Sequence, residues 1–216
     1  MRTIGIVGGT FDPIHYGHLR LAEEARRHFK LTEIRFIPVA VPPHRGTPTA
    51  SLTDRTAMVN LAIQNNSFFA LDGREAKRPG KSYTVETLSE LRAEHPQTAL
   101  LLIMGSDAFA GLTAWMRWRE LFALCHVIVG QRPGFSFDGP DELRAELEKR
   151  FTKELDSLQG KPDGAIASFV MTPLDISASR IRQMIARGQS PRYLLPDSVL
   201  DYIQSHSLYR TEPDES

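Results

Sequence analysis

Six short apolar runs recur along the chain with helical patterns between them, and that alternation leaves few folds open. Ile4–Gly8, Ile34–Val39, Phe68–Leu71, Leu100–Met104, His126–Gly130 and Phe169–Met171 read as strands. Most lack alternation of period two, as strands do when both faces of their sheet are covered. The intervening stretches carry helical stripes: Leu19, Ala22, Ala25 and Phe29, then Val85, Leu88 and Leu91. Leu143, Leu147, Phe151 and Leu155 repeat every four residues and predict helix as far as Leu155. Ile181, Met184 and Ile185 share a face, followed by Val199, Leu200 and Ile203. Strand–helix–strand repetition of this kind predicts an α/β fold, a doubly wound parallel sheet with right-handed crossovers. Such sheets take ligands in the crevice outside the carboxyl ends of their strands, so chemistry is expected just after each strand.

Composition narrows the partners. The 216 residues suffice for one well-covered domain, expected over residues 1–210, with a polar, frayed tail at 211–216. Lys plus Arg number 26 and Asp plus Glu number 26, a balance that argues against non-specific binding to nucleic acid. Membrane attachment is not expected: the longest apolar run, Ala99 to Met104, falls far short of the ~20 residues that span a bilayer. No signal peptide is expected either, because Met1-Arg2-Thr3 runs straight into the first strand. The lone Cys125 fits a reducing cytoplasm and reads as a small buried hydrophobe rather than a nucleophile. The sequence sets no oligomeric state.

The most informative segment follows the first strand: Gly8-Gly-Thr-Phe-Asp-Pro-Ile-His-Tyr-Gly-His18, with a helical stripe directly after it. Two glycines let backbone N–H groups approach a phosphate without a Cβ in the way. A helix starting near Gly17 adds unpaired N–H groups and the positive end of its dipole. His15 and His18, three apart, meet on one side of the first turn and can donate to phosphate oxygens. Two rival readings stand beside this one. A zinc site would want more ligands than Asp12 nearby, and two histidines at this spacing can also be ordinary surface residues. A P-loop solves the same problem with lysine, and no Gly-Lys-Ser/Thr occurs here.

The segment Gly8 to His18 resembles the GGTFDPIHxGH signature of the nicotinate-nucleotide adenylyltransferases, in the HxGH nucleotidyltransferase superfamily. Further segments agree in order: Val41-Pro-Pro-His-Arg45, Ser82-Tyr-Thr84, Gly105-Ser-Asp107, Trp115, Ile176-Ser-Ala-Ser-Arg-Ile-Arg182 and Val199-Leu-Asp-Tyr-Ile203. The resemblance covers essentially the whole chain. It implies a Rossmann-like fold and the joining of nicotinate mononucleotide to the AMP of ATP, giving deamido-NAD and pyrophosphate. The superfamily's Ser-Ser-Thr-x-x-Arg motif is altered here, with Ala178 and Ser179 in place of its second Ser and its Thr. Phosphopantetheine adenylyltransferases, the nearest relatives of another specificity, are shorter and carry Thr at the first His of the motif. A nucleotide-sensing module without chemistry could dispense with His15, His18 and Arg182.

The resemblance also implies roles. Thr10, His15 and His18 would hold the ATP phosphates, with Gly8, Gly9 and Phe11 shaping the turn. Ser177, Ser179 and Arg182 would close on the phosphates from the other side. His15, His18 and Arg182 are thus the expected catalytic groups. Trp115 would stack on the pyridine ring, with Trp118 more suited to anchoring. Tyr83, Thr84 and Gly105 would line the mononucleotide pocket, and Asp107 would take ribose hydroxyls. Capping a helix is the rival role for Thr84 and for Asp107. His44 and Arg45, in a Pro-rich loop, suit a lid. Arg74, Lys77, Arg78 and Lys81 would either draw in anions or form a solvated loop. Mg²⁺ is expected to ride on the ATP phosphates, with no metal site built from protein carboxylates.

Overall fold

The computed structural model describes residues 2–43, 46–131, 139–154 and 158–210. The strands are β1 (Thr3–Gly9), β2 (Glu33–Pro38), β3 (Phe69–Leu71), β4 (Ala99–Gly105), β5 (His126–Gln131) and β6 (Ile166–Val170). The helices are α1 (Tyr16–His28), α2 (Leu52–Ile63), α3 (Thr84–Glu94), α4 (Ser106–Ala110), α5 (Asp141–Arg150), α6 (Ala178–Ala186) and α7 (Asp197–Ser205). Short 3-10 turns occupy Arg74–Lys77, Leu112–Ala114 and Trp118–Ala123.

All six strands pair in parallel, in the order β3-β2-β1-β4-β5-β6. The chain winds outward from β1 to β2 and β3, then restarts at β4 on the other side of β1. The carboxyl ends of β1 and β4 therefore flank the switch point, where the following loops part and leave a crevice.

Both faces of the sheet are covered, which explains the continuous apolar runs. Ala99, Leu101 and Ile103 of β4 face one layer with Ala22, Ala25, Met58, Ile181 and Val199. Leu100, Leu102 and Met104 face the other, with Val85, Leu88, Phe109, Trp118 and Leu143. At the amino ends of the strands, Arg92 rivets the rim, donating to the carbonyls of His95, Thr98, Leu124 and Pro162 at 2.7–3.1 Å. No helix among the described residues is long and apolar enough to cross a membrane.

Two elements differ from the sequence reading. β6 starts at Ile166 rather than Phe169: it is an edge strand, with Ser168 half-buried and Val170 exposed, so its apolar pattern is broken. The helix through Leu143 and Leu147 ends at Arg150, not Leu155. Phe151 is extended (φ −66°, ψ 132°) and bridges to Ile166, and Thr152 N–H donates to the Ile166 carbonyl at 2.9 Å. Pairing with the incoming strand outweighs one more helical turn there. Leu155, most of the loop 132–140 and the tail 211–216 lie outside the described residues.

Candidate active site

The crevice at the switch point is floored by glycine. A Cβ built on Gly8, at the end of β1, or on Gly105, at the end of β4, would meet no atom within 4 Å. Space above both strand ends is therefore open to a ligand. From Gly9 the chain turns through Phe11, which adopts the left-handed region at φ +50°. That conformation costs a non-glycine residue ~1–2 kcal/mol. Burial of the Phe11 ring against Phe36, with its centroid 5.1 Å from that of His18, offsets the strain.

The loop delivers His15 as the N-cap of α1, one residue before the helix. Its ring stacks on that of His18, centroids 3.8 Å apart and planes inclined by 24°, as the spacing predicts. His15 N–H donates to His18 Nδ1 at 3.3 Å, and His18 N–H to the His15 carbonyl at 3.0 Å. His15 is 6% exposed, and its Nδ1 is buried with no hydrogen-bond partner among the described residues. Burial lowers its pKa from 6.5 to about 4, so the ring is neutral at pH 7. A buried polar atom without a partner costs stability unless something arrives to pair with it. Gly17 is needed for this packing: a Cβ there would lie 3.0 Å from His15 Cε1 and Nδ1. One expectation is modified. The first-turn amides of α1 are partly taken, Tyr16 N–H donating to the Leu194 carbonyl at 3.0 Å.

Arg182 reaches this loop from α6. Its Nη1 donates to the Asp12 carbonyl at 2.6 Å and lies 3.8 Å from the Asp12 carboxylate, with the side chain 31% exposed. Ser177 caps α6, accepting from Arg180 N–H at 3.3 Å, and its hydroxyl lies 3.3 Å from that of Ser179. The chain thus brings Arg182 to the residues of the first signature across 170 positions.

On the other flank, Ser82 ties the segment after β2 to the start of α3. Its hydroxyl accepts from Ala40 N–H (3.2 Å) and Val41 N–H (3.4 Å), and its N–H donates to the Val41 carbonyl (2.9 Å). Tyr83, not Thr84, is the N-cap of α3, and Gly105, not Asp107, that of α4, so the rival capping role falls to neither Thr84 nor Asp107. Tyr83 and Trp115 are both half-buried beside the second apolar layer. Trp118 is buried against Phe122, the anchoring role expected of it. Asp107 is exposed. His44 and Arg45 lie outside the described residues. Two members of the basic cluster are paired: Arg74 with Asp72 (2.8 Å) and Glu94 (3.0 Å), and Arg78 with Glu90 (3.2 Å).

Three residues escaped the sequence reading. Asp12 was considered there only beside a metal, but its carboxylate, 5% exposed, accepts from Thr49 N–H (2.7 Å), Ala50 N–H (3.1 Å) and the Tyr209 hydroxyl (2.7 Å). Arg55, 1% exposed, donates to the carbonyls of Thr10 and Val39 at 2.7 Å and of Ala40 and Ala50 at 3.3 Å. An available signal was an arginine on the stripe it shares with the buried Met58, Val59 and Ile63. Tyr209 offered none. Cys125 is wholly buried and its thiol is pushed up to about 12, which makes it inert. Among the described residues, no group of three or more His, Cys, Asp or Glu comes together as metal ligands would.

The cytidylyltransferase-like family model matches residues 6–184. A protein of Dechloromonas aromatica named "probable nicotinate-nucleotide adenylyltransferase" is 52% identical over 211 residues, 96% of this chain and 97% of that one. A protein of the same name from Pseudomonas putida is 48% identical over 213 residues, covering 97% and 91%. In fold, the chain is similar to the Plasmodium falciparum nicotinic acid mononucleotide adenylyltransferase solved with NaAD. That TM-score is 0.75 at 19% identity, over 97% of this chain and 98% of that one. With the signature loop, the stacked imidazoles and the arginine of α6 gathered at one switch point, this chain belongs to the nicotinate-nucleotide adenylyltransferase family.

Proposed function

We propose that this chain, as one nucleotidyltransferase domain over residues 1–210, joins nicotinate mononucleotide to the AMP of ATP. Deamido-NAD and pyrophosphate are released, a step of NAD biosynthesis suited to the reducing cytoplasm. The observation that carries the reading is His15: buried, neutral and stacked on His18, on the loop that leads from the open Gly8 end of β1. Triphosphate oxygens would accept from the N–H groups of such a pair.

The nucleophile is a substrate oxygen. A nucleotide 5′-phosphate, with a second pKa near ~6 by analogy with phosphoserine, arrives largely ionised and needs no general base. The protein's work is alignment and charge stabilisation. An oxygen of the mononucleotide phosphate attacks the α-phosphorus, and the bond to the bridging oxygen of pyrophosphate breaks. Thr10, His15 and His18 hold the phosphates over Gly8 and Gly9, with Phe11 shaping the turn. Arg182, with Ser177 and Ser179, neutralises charge that builds on the leaving group. Tyr83, Thr84, Gly105, Asp107 and Trp115, with His44 and Arg45, form the mononucleotide side, where Trp115 offers the pyridine ring an aromatic face.

The donor set is made of imidazoles, amides and guanidinium. The one carboxylate in the loop, Asp12, already accepts three hydrogen bonds. That suits Mg²⁺ held by ATP phosphates and water, where it would neutralise charge on the departing pyrophosphate.

The test is pyrophosphate release from ATP with nicotinate mononucleotide, nicotinamide mononucleotide and phosphopantetheine in parallel, with the joined product identified by mass. Release fastest with nicotinate mononucleotide is expected. Release with phosphopantetheine alone, or with none of the three, overturns the reading.

A further inference from the structure

The phosphate-gripping loop is held by buried groups, Asp12 (5% exposed), Arg55 (1%) and Tyr209 (9%). Asp12 is the junction. Its carboxylate takes the main chain of the segment before α2 through Thr49 and Ala50, and the hydroxyl of Tyr209 from 197 positions away. Its carbonyl takes Arg182. Arg55 braces the same loop from the other side, joining the Thr10 carbonyl to those of Val39 and Ala40 at the end of β2, and to Ala50. Val39 and Ala40 lead into the segment that Ser82 fastens to Tyr83 and Thr84. A guanidinium is always charged and offers five N–H groups in a rigid fork. Such a cation, nearly sealed from water and satisfied by carbonyls of three segments, fixes their separation.

We infer that Arg55, Asp12 and Tyr209 form a buried strut that positions the ATP loop against the mononucleotide side, so that Arg55 and Tyr209 set turnover without touching either substrate. The inference rests on the proposed function for its kinetic readout. In-line attack depends on the spacing of the two nucleotides, and a displacement of about 1 Å costs on the order of 10²-fold in rate. Ground-state contacts, made mainly by side chains on each flank, depend on that spacing less. Loss of the strut is therefore expected in kcat rather than in either KM.

Two variants test this. Tyr209→Phe keeps the ring and removes one hydroxyl. Arg55→Lys keeps the charge and loses the fork. Each is assayed with both substrates varied, at a temperature well below its own Tm, and folding is checked by circular dichroism. Expected are a fall in kcat of roughly 10-fold for Tyr209→Phe and up to ~10²-fold for Arg55→Lys, with both KM values within about three-fold of wild type. The imidazole NMR signals of His15 and His18 should also move in Tyr209→Phe without nucleotide, a readout independent of turnover. Folded variants with wild-type kcat and unmoved imidazole signals overturn the strut, as does failure of both variants to fold, which would assign these residues to folding alone. A wild-type protein without turnover would instead sink the proposed function, and the imidazole signals would still decide the strut.

Discussion

His15 should impose a particular pH dependence on stability. The folded protein holds this ring neutral with a pKa of about 4, whereas the unfolded chain releases it to the ordinary 6.5. Above pH 6.5 both states carry a neutral imidazole, and the residue contributes no pH dependence. As pH falls through 6.5 the unfolded chain takes up a proton that the folded protein refuses, and stability declines by up to ~1.4 kcal/mol per pH unit. The decline levels off near pH 4, once the buried ring protonates too. The lowering of the pKa converts to about 3 kcal/mol across the window. Carboxylates titrate in the same range, so the quantity to measure is the difference between wild type and His15→Asn, in which their contributions largely cancel. Urea unfolding followed by tryptophan fluorescence at half-unit steps from pH 4 to 7.5 gives both curves. Wild type should lose about 3 kcal/mol more than the variant between pH 6.5 and 4, and nothing more above 6.5. Parallel curves across the whole range would refute a buried neutral His15.

Gly17→Ala should separate stability from activity. Alanine is favoured over glycine in a helix by up to ~1 kcal/mol, and the close contact with the buried His15 ring offsets that gain, so Tm should stay within a few degrees of wild type. Its Cβ, 3.0 Å from the His15 ring, displaces the imidazole, and kcat should fall about ten-fold. Calorimetry and steady-state kinetics on one preparation check both. Trp115→Leu should raise the KM for nicotinate mononucleotide about ten-fold, the ~1.4 kcal/mol of a lost aromatic face, while the KM for ATP stays within two-fold. An equal rise in both would assign Trp115 to the apolar layer alone.

Much of this architecture could be read from spacing, because each reading rested on a local pattern. β1, β4 and β5 are buried on both faces, and burial wrote itself into their apolar runs, whereas the half-buried Arg35 interrupts the run of β2. β6 lies at the edge, so Ser168 and Val170 carry no such imprint, and only its last apolar piece was visible. α2 was overlooked because its buried stripe includes a charged residue, Arg55, whose partners are main-chain carbonyls. The stacked pair His15 and His18 was legible, being three residues apart on one turn. The holding of Asp12 by Thr49, Ala50 and Tyr209 was not, since hydrogen bonds across 37 to 197 positions leave no periodic trace. The same applies to Arg182, whose position in a motif was evident while its contact with the Asp12 carbonyl was not.

The hydrogen bond from Tyr209 to Asp12 has a consequence for biogenesis. Synthesis is vectorial, and segments begin to fold as they emerge from the ribosome. The first strand and its loop are made early, but the hydroxyl that completes the Asp12 carboxylate's set of donors arrives some two hundred residues later. A nascent chain halted before that point could lay down most of the sheet and still carry an unfinished nucleotide grip.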